Sequence, residues 1–396
     1  MNLFSRLRIR PAATPSEVPE LPEPSTATAA PPTGSCRRLR RRARTLLGTM
    51  ALLLLTAHLL SLLAFDSLCP SWRDPEYGRK VAVIQRMQRQ FPERPMIVLL
   101  GSSRVSMGLR TGVLEGDSAF SRRCVEQGIV PPAFVNASLI GSGPVMQLMM
   151  LRRLLEDGIR PAAVLAEVWS PFFGASPELQ EEHRIDLLRL RPRELEWLPG
   201  YFSDPQKLAD LELPMKLVPW YHQRVNLMTL MAPSMLPNLG RRDANWRLMD
   251  AYGWVPGPKA VQSPAELQKQ HAIAEKFYRR ILEDWQPGDR AMTAQQSIFA
   301  LCQEHQIPIR LMQLPESALV HAWTSPATEQ RFTAQLAIWE RDYGAKCQDF
   351  RTVMPGDVVP DGIHLTPEAA AQFTGIWAER MLEILPDAVR LPRKSP

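Results

Sequence analysis

Two short stretches of this 396-residue chain hold residue types that can do chemistry together. The first is Gly101-Ser102-Ser103-Arg104, directly after the apolar run Met96-Ile-Val-Leu-Leu100. The second is Asp361-Gly-Ile-His364, directly before Leu365-Thr366-Pro367. A serine hydroxyl is a weak nucleophile because its proton must leave as it attacks. A histidine can take that proton, and a carboxylate can fix the histidine's tautomer and stabilise the imidazolium. The spacing of three lets Asp361 reach one ring nitrogen of His364, and the other nitrogen can then face the serine turn. Plainer uses exist: Ser102 or Ser103 can N-cap the next helix, and Asp361 and His364 can serve a turn and a cap. Taken together, in this order along the chain, the residues favour chemistry. His58, His183, His222, His271, His305 and His321 have no comparable context.

The elements around these stretches must place them at one end of a sheet. Residues 96–100 read as a strand buried on both faces. Gly101 then allows a tight turn into a helix. Such a turn stands just outside the carboxyl end of the strand, where open α/β sheets bind ligands. Residues 77–90 have helical spacing, with Val81, Ile84 and Met87 on one face. Residues 133–138 read as a second strand ended by Ile140-Gly-Ser-Gly-Pro144, with Pro144 opening a helix to about Glu156. Residues 161–169 read as a third strand, so a parallel βαβ unit is expected.

Between residues 174 and 287 the alternation stops. Helical pieces are expected at 184–190, 205–211 and 265–284, in an insertion packed on the body. Its middle, residues 213–239, is rich in Met, Leu and Pro and could also cap a site or face a bilayer. The βα rhythm returns with a helix at 291–305, a strand at 307–313, a helix at 328–342, a weaker strand at 346–353 and a last helix at 368–385. Thr366 suits its N-cap and Pro367 its first turn.

The hydrophobic fraction of 45% and charged fraction of 22% are those of a globular protein. The net charge of +6 sits entirely in residues 1–44, where nine Arg face three Glu. The remainder balances 38 Lys+Arg against 38 Asp+Glu, so no nucleic-acid partner is indicated. Cys36, Cys69, Cys124, Cys302 and Cys347 show no zinc-ligand spacing, so no metal is expected. Disulfides among the last four are allowed if the body is exported, in a pairing that spacing does not give. Residues 1–44 read as a disordered basic tail ending in six arginines within 37–44. Residues 46–65 hold no ionisable group but His58. Twenty helical residues span about 30 Å, the thickness of a bilayer core. The flanking arginines keep the tail cytoplasmic and send the body, residues 72–390, across the membrane. An uncleaved single-pass anchor is favoured over a cleaved signal peptide, because no clean small-residue cleavage site follows.

The two chemical stretches resemble the blocks of the SGNH/GDSL superfamily of serine esterases and acyltransferases. Gly101-Ser102-Ser103 is similar to its nucleophile triplet, which implies Ser103 rather than Ser102 as nucleophile. Asp361-x-x-His364 is similar to its acid and base block. The resemblance implies that the N–H of Ser103 and that of Gly141 or Gly143, with Gly141 preferred, hold the oxyanion. The family's G-x-N-D block has no match, since Glu167-Val-Trp-Ser-Pro171 stands there. Ser170, with Ser102 and Arg104, would then line the mouth of the site. The implied fold is a three-layer α/β/α, flavodoxin-like domain with a mostly parallel sheet of about five strands. The implied chemistry needs no cofactor. Membrane-anchored members similar to exopolysaccharide O-acetyltransferases and cell-wall D-alanylation proteins suggest an acylated small molecule or surface polysaccharide as substrate. They also suggest a periplasmic or extracellular domain and a membrane-embedded acyl-donor partner. A catalytically silent glycan- or partner-binding module is the alternative.

Overall fold

A computed structural model describes residues 33–237, 241–260 and 263–385. The chain divides into two compact units, residues 1–56 and 57–396. The first unit holds most of helix α1 (Thr33–Leu63), whose stretch Arg37–Leu63 is long and apolar enough to cross a membrane. Residues 1–32 of the expected disordered tail lie outside the described residues. The arginine block 37–44 is helical rather than disordered, because arginine propagates a helix well once the apolar turns beyond it are formed.

In the second unit, α2 (Pro70–Arg73) and α3 (Pro75–Gln90) lead into β1 (Met96–Leu100). The short α4 (Ser103–Gly108) and α5 (Ser118–Glu126) precede β2 (Ala133–Asn136), α6 (Pro144–Glu156) and β3 (Ala163–Glu167). The insertion contains α7 (Glu194–Trp197), α8 (Gln206–Leu217), α9 (Pro219–Met231) and α10 (Pro264–Glu283). Then come α11 (Asp289–Glu304), β4 (Ile309–Gln313), α12 (Ala318–Trp323), α13 (Pro326–Tyr343), β5 (Cys347–Asp349) and α14 (Pro367–Ile384). The expected helix at 184–190 is instead irregular with one 3-10 turn at Leu187–Arg189, and α5, α9 and α12 were not expected.

The five strands form one parallel sheet in the order β2-β1-β3-β4-β5. Alternation along β1 divides the core in two. Val98 and Leu100 face a layer containing Ile84, Leu148, Ile298 and Trp339, from α3, α6, α11 and α13. Ile97 and Leu99 face Val105, Phe120, Phe373 and Trp377, from α4, α5 and α14. All four strand residues are fully buried, which is why this run lacks a polar face. Burying Phe373 alone stabilises the packing by about 1.5–3 kcal/mol. The chain passes from β1 to β2 on one side and to β3 on the other. The crevice beyond β1 and β3 is therefore the switch point of the sheet. Cys69, Cys124, Cys302 and Cys347 are free thiols.

Candidate active site

The turn after β1 gives the two serines different work. Ser102 is the N-cap of α4: its Oγ accepts the Arg104 N–H at 3.1 Å, and the residue is fully buried. Ser102 therefore does not line a mouth, contrary to the sequence expectation, because capping holds it inward. Ser103 is the first residue of the helix, and its Oγ lies 2.7 Å from His364 Nε2. Gly101 is required here by space rather than by backbone conformation. A Cβ would meet Val105 Cγ2 at 2.3 Å and Glu167 at 2.8 Å.

The loop before α14 supplies the other partners. Gly362 has a left-handed φ of +91°, which folds the chain back so that Asp361 faces its own successors. Asp361 Oδ1 accepts the N–H of Ile363 at 3.1 Å and of His364 at 2.8 Å. Its Oδ2 lies 2.6 Å from His364 Nδ1. Burial pushes the Asp361 carboxyl up, but the bonds from the His364 ring and backbone outweigh it and hold it below the usual carboxylate value. Thr366 caps α14 by accepting the Ala369 N–H, and Pro367 opens the helix. The histidine side chain keeps 18% of its surface exposed and Asp361 30%, so the relay is accessible from outside.

Among the described residues, the N–H of Ser103 has no partner, whereas those of Ser102 and Arg104 are taken. Gly141, with φ of +78°, is held from one side by Arg184, whose Nε donates to its carbonyl at 2.8 Å. Gly143 is a correction. Its N–H donates to Glu181 at 2.7 Å, so it is not free for an oxyanion. Glu181 also accepts the N–H groups of Val145 and Met146 at 2.8 Å each, filling the first turn of α6. Burial pushes this carboxyl up, and the three N–H donors oppose the rise.

The end of β3, where the asparagine donor has no counterpart, holds a buried ionic knot. Glu167 Oε2 accepts the Ser102 N–H at 2.6 Å, and Arg104 Nη1 lies 3.5 Å from Glu167. Arg104 Nη2 donates to the Leu314 carbonyl at 2.8 Å and lies 3.2 Å from Glu316. Its guanidinium stacks 4.7 Å from the Trp169 ring. Arg104 is thus buried beneath the turn rather than at a mouth, because two carboxylates and the indole face draw it inward. Ser170 is also buried and starts a 3-10 turn, with its carbonyl accepting Trp285 Nε1–H at 2.6 Å.

Several neighbours were not legible beforehand. Trp169 is buried, and its indole N–H has no protein partner among the described residues. Tyr278 of α10 packs edge-on against Trp169 at 5.1 Å between ring centroids. Burial, reinforced by Asp361, pushes the Tyr278 phenol up. The Arg184 guanidinium covers Phe172 at 4.6 Å. A tryptophan at the end of the expected strand 161–169 was the only available signal. Tyr278 and Arg184 lie in the insertion, where nothing marked them.

No family model matches the chain, and no curated protein matches it. Solved structures do match, among them a Bacteroides fragilis protein described as a "putative acylhydrolase". It aligns over 76% of this chain and 97% of its own, at 11% identity and a TM-score of 0.30.

Proposed function

We propose that the chain is a membrane-anchored, extracytoplasmic serine ester hydrolase or O-acyltransferase of SGNH type. The observation that carries the reading is the unbroken relay Asp361–His364–Ser103, with spacings of 2.6 and 2.7 Å, at the switch point of a parallel sheet. Those separations suit a carboxylate that orients an imidazole and an imidazole that takes a hydroxyl proton. Ser103 Oγ attacks the acyl carbonyl as its proton passes to His364 Nε2. The ionised Asp361 stabilises the imidazolium. The Ser103 and Gly141 N–H groups hold the oxyanion. Collapse expels the alcohol, which takes the proton from Nε2 and leaves an acyl-serine. Water, or a sugar hydroxyl, then attacks that ester with His364 again as base.

The apolar helix supports anchoring, and the arginines before it support a cytoplasmic N-terminus. An acylated surface glycan is the proposed substrate, and a membrane-embedded acyl donor the proposed partner. The deciding experiment is labelling by a fluorophosphonate probe, expected for the parent and Ser102→Ala and absent in Ser103→Ala. Labelling that follows Ser102, or none on folded protein, overturns the proposal. Ester turnover equal to that of His364→Ala would favour the second reading, a silent binding module. That reading draws on the occupied end of β3, where Glu167 is spent on Ser102 and Arg104.

A further inference from the structure

The insertion carries an apolar surface that the proposed chemistry does not use. Leu213 and Leu217 at the end of α8, Trp220, Tyr221 and Met231 on α9, and Met235 beyond it are all exposed. Met231 is 76% and Met235 73% exposed, far beyond what packing within the domain would leave on such side chains. Residues 213–237 contain two cations, Lys216 and Arg224, and no Asp or Glu.

The place of this surface in the fold says what covers it. The last residues of the apolar helix, from Ala57 on, belong to the same compact unit as α8 and α9. Phe65, just past the helix, is buried and meets Trp72 of α2 edge-on at 6.3 Å. The carbonyl of Arg73, also in α2, accepts Asn226 Nδ2–H of α9 at 3.1 Å. The Arg73 side chain reaches Met215 Sδ of α8 at 3.9 Å and the Leu190 carbonyl at 3.3 Å. The segment that leaves the apolar helix is therefore bolted to α8 and α9. On the anchor reading that segment emerges at the lipid headgroups, and α8 and α9 are fixed to it. Asp210 and Glu212 lie on the earlier turns of α8, but residues 213–237, with exposed Trp, Tyr, Leu and Met and no carboxylate, have the composition that partitions at the headgroups.

We infer that the surface over residues 213–237, the end of α8 with α9 and the turn after it, docks on the bilayer surface, with the six apolar side chains in the headgroup boundary and Arg224 toward anionic lipid. This second contact rests on the anchor reading. It fixes the orientation of the domain on the membrane, which a single tether leaves free.

The test is hydroxyl-radical footprinting of the full chain in nanodiscs containing phosphatidylglycerol, at one chain per disc, read by mass spectrometry. Exposed Ile273 and Phe277 on α10 serve as internal references. After correction for intrinsic reactivity, Trp220, Tyr221, Met231 and Met235 should oxidise at least about threefold more slowly than the references. Equal rates overturn the docking. Protection seen only at two chains per disc assigns the surface to a second copy and also overturns it. Alkaline carbonate extraction of the same sample separates the premises: release of the chain overturns the anchor, whereas retention with fast Met231 and Met235 oxidation overturns only the docking.

Discussion

Asp361 reaches the Gly101–Arg104 turn through His364 and Glu167 touches it directly, and their surroundings give them opposite work. Asp361 is partly exposed and spends its charge on an imidazole that also reaches a hydroxyl. Glu167 is buried and spends its charge on a backbone N–H and a buried guanidinium. The first arrangement can move a proton in either direction, because His364 has one nitrogen on each partner. The second cannot, since an arginine does not give up its proton. It sets the shape of the turn instead. Two carboxylates beside one serine pair thus divide into chemistry and scaffold according to their partners.

The widest gap between the two sides should come from Ser103→Ala and Asp361→Asn. We expect the first to abolish labelling and the second to lower kcat on the order of 10,000-fold by losing the useful tautomer. Steady-state ester hydrolysis checks both, and Asp361→Asn together with His364→Ala should cost little more than His364→Ala alone.

The scaffold side should respond in stability. Glu167→Gln leaves buried Arg104 with Glu316 as its remaining carboxylate, so we expect a loss of about 2–3 kcal/mol with labelling retained. Urea unfolding followed beside the labelling assay tests this. An unchanged urea midpoint with labelling lost would reverse the division.

Glu181 tests whether the insertion serves the relay by fixing, through the Gly143 N–H, the turn that carries Gly141. An amide at 181 would set its NH2 against backbone donors, so Glu181→Gln should lower kcat roughly 10-fold with KM nearly unchanged. A rise in KM alone would instead make the grip on α6 a substrate contact.

The smallest effect is on acid stability. The Asp361 carboxyl sits below its ordinary value in the folded chain, so it stabilises the fold fully above the unfolded value of about 3.9. That contribution is lost as pH falls through the lower folded value. The difference in unfolding free energy between parent and Asp361→Asn should therefore shrink below about pH 4, and a constant difference would show that the charge contributes nothing.

Much of the fold was legible in sequence because buried parallel strands must be apolar on both faces. The runs 96–100, 133–138 and 161–169 read as strands, and the strands formed are 96–100, 133–136 and 163–167. Pro144, Thr366 and Pro367 likewise announced their helix starts by local hydrogen-bond logic. The insertion was not legible. Its 3-10 turns and Pro214-containing α8 owe their shape to packing on the body rather than to periodicity.

By itself, the sequence determined that a serine turn and an Asp-x-x-His loop stand at the same end of a parallel sheet. Strand polarity and the spacing of three dictate that much. Only the tertiary structure decided that Ser102 caps α4 while Ser103 meets His364, that Gly143 is spent on Glu181, and that Arg104 lies buried between two carboxylates. The Ser102 cap is a local bond, but the other outcomes depend on groups more than thirty residues away, and no local pattern encodes which of two adjacent hydroxyls or glycines a distant side chain will reach.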